Sequence, residues 1–168
     1  MFASDFKEAH DGVVNLEDDN LSAVECMLKH LYGFTWPYGY DDGGNDNDGG
    51  YMSISDVVDT YAVASKYLLT QLKKEMVLEI RDKTKGQGFK YYMEGFTALV
   101  EQIYTTTPAS DRGLRDVCVD YAARKPATFY LDEHALLIAE LAKKCPEFLQ
   151  DVAEELVKRG RVVKKPMA

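Results

Sequence analysis

Between Tyr38 and Met52 the chain reads YGYDDGGNDNDGGYM, with six Asp or Asn and five Gly in fifteen residues. Such a run offers the oxygen ligands that a hard cation such as calcium takes. A twelve-residue calcium loop needs ligands at positions 1, 3 and 5, Gly at 6 and Glu at 12. Counted from Asp41, Gly43 falls at position 3, Asp46 at the glycine position and Met52 at the glutamate position. Counted from Asn45, Gly50 and Asp56 fit better, but the first ligand is neutral and the closing acid short. No dedicated site follows. A calcium-responsive protein using the Asp/Gly loop 41–50 stands as an alternative reading, and a solvated acidic insert is the plainer one.

Other chemistry-bearing residues are sparse. His10, His30 and His134 are scattered without Cys or carboxylate at metal-ligand spacing. Cys26, Cys118 and Cys145 are odd in number and form no C-x-x-C, the usage of a reducing compartment, cytoplasm or nucleus. No phosphate loop, G-x-S-x-G elbow or H-E-x-x-H occurs. No enzyme, cofactor or metal site is therefore expected.

The elements that would position any site read as helices. Val13–Leu16 is a short β-prone run bounded by Gly12 and the acidic turn Glu17–Asn20. Ser22, with Glu25 three residues on, predicts a capping box, and Val24, Met27, Leu28, Leu31 and Tyr32 form one apolar stripe ended by Gly33. Ser53 and Asp56 predict a second capping box, before a face of Ile54, Val57, Val58, Tyr61, Leu68 and Leu69. Thr70 is read as the cap of a third helix carrying Leu72, Met76 and Ile80. Residues 82–94, glycine- and lysine-containing, are read as a linker. A helical region over 95–160 follows. Its caps are read at Ser110 and Asp132, breaks at Thr107-Pro108 and Pro126, and a last helix opens on Pro146.

Charge is uneven. Residues 1–60 hold thirteen acids against Lys7 and Lys29, while the remainder holds 15 acids and 18 bases. The acidic front half repels phosphate backbones, so no nucleic-acid partner is expected. No apolar run approaches a membrane span. The basic stretch 158–168 reads as a nuclear-localisation patch or, more plainly, as a cationic helix end closed by Gly160 before a basic tail, 161–168.

Phe6-Lys7-Glu8-Ala9, then Val13 to Asp19, then the helix Val24 to Gly33 with its LYG ending, resemble the second half of a BTB/POZ domain. The run Val57 to Leu69, with Ala64, Lys66 and Tyr67, is similar to the family's next helix, and Leu72 follows where the family has a leucine. The later helices look like the BACK-like C-terminal extension of many fungal BTB proteins. The resemblance implies a mainly α chain with one or two short strands. It implies a partial BTB/POZ domain over 1–81, without the family's N-terminal hairpin and first helix, which form most of its homodimer interface.

It further implies a protein–protein interaction module, such as a substrate adaptor for a cullin-type ubiquitin ligase, with self-association as a further partner mode. A degenerate fragment without activity is the remaining alternative. The family's scaffold surface corresponds here to Asp18, Asp19, Asn20, Met27, Leu31, Tyr32, Phe34 and Tyr67, to which the aromatic Trp36 is added. Core packing of Met27, Leu31 and Tyr32 is the competing expectation, since their periodicity alone would give it.

Overall fold

The structure, a computed structural model, describes residues 16, 18–34, 52–85, 93–124 and 134–160. Among them are seven helices and no strand: α1 Leu21–Leu31, α2 Ile54–Lys66, α3 Thr70–Lys85, α4 Met93–Thr106, α5 Arg112–Arg124, α6 Ala135–Lys144 and α7 Pro146–Lys158. The mainly helical expectation holds. Of the predicted strand, only Leu16 is described, and it has no regular structure.

Helix starts show where local sequence rules win. Ser53 and Asp56 form the expected reciprocal box: the Asp56 N–H donates to Ser53 Oγ at 3.1 Å, and the Ser53 N–H donates to Asp56 Oδ2 at 3.2 Å. Pro146 opens α7, where its missing N–H costs nothing. The predicted box at Ser22 does not form. Asn20 is the cap instead, accepting from the Ala23 N–H at 3.2 Å while its amide donates to Asp59 at 3.0 Å, so one side chain both caps α1 and ties it to α2. Thr70 is the first residue of α3 rather than its cap, because the Lys73 N–H donates to the carbonyl of Leu69. Ser110 is displaced by Asp111, which accepts from the Gly113 N–H. Asp132 lies outside the described residues. The expected linker begins inside α3, which runs on to Lys85.

Helix ends follow a common device. Gly33, at φ +70°, closes α1: its N–H donates to His30 and that of Phe34 to Lys29, a Schellman pair. Gly160, at φ +65°, ends α7 as expected. Leu68 does the same for α2 at φ 59°, with the N–H groups of Leu68 and Leu69 donating to Ser65 and Ala64. A leucine there pays the Cβ clash of the left-handed region, and its side chain is 83% exposed, so no burial offsets it.

Helices α2 and α3 pack on each other, α1 lies on α2, and α4, α5, α6 and α7 complete the body, with α3 against α5 and α2 against α4. One apolar cluster runs through all seven, from Ala23 and Met27 through Tyr61, Met76 and Ile103 to Leu141 and Phe148. Phe148 stands edge-on to Phe96 and Tyr104, with centroids 6.1 and 5.6 Å away. Such edge-to-face pairs favour one packing over others.

Replacing Leu68 by Gly is expected to raise stability by about 0.5–1 kcal/mol, since the left-handed strain outweighs the extra chain entropy. Urea denaturation with an unchanged m-value checks it; a loss of stability would mean that Leu68 makes a contact that offsets the strain.

Candidate functional site

The residues predicted to form a docking surface are partly brought together. Leu31, Tyr32 and Phe34 are 56%, 78% and 67% exposed at the C-terminal end of α1. Leu21 and Leu28 add exposed apolar surface along the same helix. Leu21, Leu28 and Tyr32, spaced by seven and four residues, share one face at 100° per residue. Core packing therefore fails for Leu31 and Tyr32, whereas Met27 obeys it: it is buried against the body and forms no part of the surface. Trp36 and the Asp/Gly loop 41–50 lie outside the described residues.

At the other end of α1, Asp18 is exposed and Asp19 is bound from α2. Lys66 donates to both Asp19 oxygens, at 2.8 and 2.9 Å, and the Tyr67 hydroxyl donates at 2.7 Å. These bonds hold the Asp19 carboxyl below the usual carboxylate range and push the Tyr67 phenol up. Asp19 and Tyr67, both predicted as partner-facing, thus spend their polar groups on each other. Asn20 is the cap described above.

Sequence reasoning missed the polar centres of the molecule. Asp111, at the start of α5, accepts from the Tyr61 hydroxyl at 2.5 Å, from Lys73 Nζ at 2.6 Å and weakly from Ser65 Oγ at 3.4 Å. It thereby joins α2, α3 and α5. Burial raises its proton affinity, but the Lys73 ammonium and the Tyr61 hydroxyl outweigh that and hold the carboxyl below its ordinary value. Tyr61 is pushed well above the usual phenol range by burial and by Asp111. Gly113 makes room for this joint: a Cβ there would stand 2.2 Å from the Tyr61 hydroxyl oxygen and 3.1 Å from its ring.

Arg115 is the second centre. Its buried guanidinium donates to the carbonyls of Thr107 (2.5 Å) and Tyr104 (3.2 Å), to Thr107 Oγ1 (3.1 Å) and to Glu147 (3.0 Å), and lies 4.3 Å from the Tyr104 ring centroid. It closes the carbonyl end of α4 and links it to the first turn of α7. Both centres bind the protein to itself.

The thiols carry no reactive signature. All three are buried, and burial pushes Cys118 up to about 12 and raises Cys26 and Cys145 as well. They stay protonated at neutral pH and are poor nucleophiles. A cleft of about 490 Å³ lies between α3, α5 and α7, lined by Arg81, Arg112, Asp116, Asp120, Asp151 and Glu154 among others. Its charges are largely matched: Arg112 pairs with Asp116 and Asp151, and Arg159 with Asp120 and Glu155. Among the described residues no group of three or more His, Cys, Asp or Glu could hold a metal ion, and no helix is long and apolar enough to cross a membrane.

No family model, no curated protein and no solved structure matches the chain.

Two outcomes are expected from the Asp111 joint. Gly113→Ala should cost about 1–3 kcal/mol, because overpacking against a rigid, bonded ring outweighs the better helix propensity of alanine. Adding Tyr61→Phe should recover part of that loss, a coupling readable in a double-mutant cycle. The second outcome concerns pH. A folded carboxyl below its unfolded value near 3.9 stabilises above that pH and ceases to do so as pH falls through the folded value. Asp111→Asn should therefore lose about 2–3 kcal/mol at pH 7 and show a shallower fall in stability below about pH 4 than the parent chain. Parallel acid profiles would show that Asp111 carries no such linkage.

Proposed function

We propose that the protein is an interaction module of the BTB/POZ class without catalysis of its own. In this reading it works in the cytoplasm or nucleus as a substrate adaptor for a cullin-type ubiquitin ligase. The observation that carries this reading is the outward face of α1 and the turn after it, where Leu31, Tyr32 and Phe34 stand in water beside Leu28. Burying a side chain of this kind gains roughly 1.5–3 kcal/mol, so a partner that covers three or four of them has a ready anchor. Gly33 fixes the turn, so Tyr32 and Phe34 are presented on a closed Schellman end rather than on a frayed one. Such preorganisation lowers the entropy cost of docking. The LYG ending of α1 and the Ala-x-Lys-Tyr segment of α2 are the residues that give the BTB resemblance, and they sit on packed neighbours. Buried thiols suit a reducing compartment.

Calorimetry against the N-terminal helical region of a cullin scaffold tests the proposal. Saturable binding is expected, weakened at least about tenfold by Tyr32→Ala or Leu31→Asp with little change in melting temperature, as for an exposed hot spot. Absence of binding by the intact, folded chain removes the adaptor role.

A further inference from the structure

We propose that α1 is a detachable helix, opening away from α2 as a unit while α2 to α7 stay folded. This concerns the motion of α1 and stands whichever partner its outer face meets. Every other helix is held from at least two sides, whereas α1 packs chiefly on α2 and reaches α3 through the 3.3 Å His30–Glu75 contact. Its buried set is small, namely Ala23, Val24, Cys26 and Met27, and four of its larger apolar neighbours in sequence (Leu21, Leu28, Leu31, Tyr32) are already in water. Opening therefore exposes only this small set and the strip of α2 beneath it, far less surface than global unfolding.

At the first turn of α1 the polar ties to the body are Asn20 to Asp59, exposed where protein bonds exchange readily for solvent bonds, and the largely covered Asp19 carboxylate to the exposed Lys66 and to Tyr67. Inside the α1–α2 contact, the fully buried Thr60 hydroxyl has no strong hydrogen-bond partner, its polar neighbour being the weakly polar Cys26 thiol. That buried hydroxyl would regain a water when α1 lifts, which lowers the cost of opening further. Helices α2, α3, α4, α5 and α7 have no such release, being cross-linked by Asp111 and Arg115.

Two native thiols report the event. Cys26 lies in α1 at the contact, and Cys118 is wholly buried in α5. The intact chain is labelled with methyl methanethiosulfonate at urea concentrations below the unfolding transition, and the labelled sites are read by peptide mass spectrometry. Cys26 should label at least about tenfold faster than Cys118, with a shallower dependence on urea because less surface is exposed in its opening. Asn20→Ala, which removes the cap of α1, should speed Cys26 several-fold, whereas Gly113→Ala, which strains the joint between α2 and α5 but not the α1 contact, should speed Cys118 and leave Cys26 unchanged. Equal urea slopes for the two thiols would overturn the proposal, since α1 would then leave only with the whole fold. A Cys26 rate insensitive to Asn20→Ala would overturn it too, by showing a wobble confined to the cysteine.

Discussion

The carboxylate of Asp111 is the constraint around which the packing of α2, α3 and α5 is arranged. It takes a hydroxyl from Tyr61 and an ammonium from Lys73, residues thirty-eight to fifty positions away in the chain. A carboxylate so far removed from water is tolerable only if its lone pairs are filled, and these two donors fill them. The bond fixes the Tyr61 ring, its hydroxyl fills the space above Gly113, and the first turn of α5 is tied to α2 through the length of the tyrosine side chain. Helix α3 then lies along α5 because Lys73 must reach the same carboxylate. The apolar cluster supplies most of the driving force, while the charged joint specifies which of many helix packings is adopted.

Arg115 performs the matching task further along. A buried guanidinium at the C-terminal carbonyls of α4 satisfies groups that would otherwise be orphaned, and its contact with Glu147 orients the start of α7. Between the two centres, α2, α3, α4, α5 and α7 become one interlocked body, on which α6 packs against α4 and α7. Helix α1 stands at the rim of that body with its outer face in water.

What the sequence made legible was local. The Ser53–Asp56 box, the glycine ends at 33 and 160, Pro146 at the head of α7 and the apolar stripes depend on residues within one or two turns. What it concealed depends on distance. Asn20 outcompetes Ser22 as a cap because Asp59 binds its amide, and Asp111 outcompetes Ser110 because Tyr61 and Lys73 wait for it. The stripe of α1 was misplaced for a related reason. Ala23 and Cys26 are small enough for α2 to approach, so the buried face turns toward them and leaves Leu28 and Tyr32 outside. Large apolar residues mark a face, but small ones decide where another helix can come close. Of the candidate surface, Leu31, Tyr32 and Phe34 are exposed and Met27 is buried, while Asp19 and Tyr67 bond to each other; for Leu31 and Tyr32 the apolar periodicity pointed to the core and only the family resemblance pointed outward.

The central claim is that charged joints across distant segments make the helices they join one cooperative structure. Differential scanning calorimetry of the intact protein at neutral pH tests it most directly. The account predicts a single main transition whose calorimetric and van't Hoff enthalpies agree, because α2, α3, α4, α5 and α7 cannot melt separately while Asp111 and Arg115 join them. Two resolved transitions, or a calorimetric enthalpy well above the van't Hoff value, would contradict it.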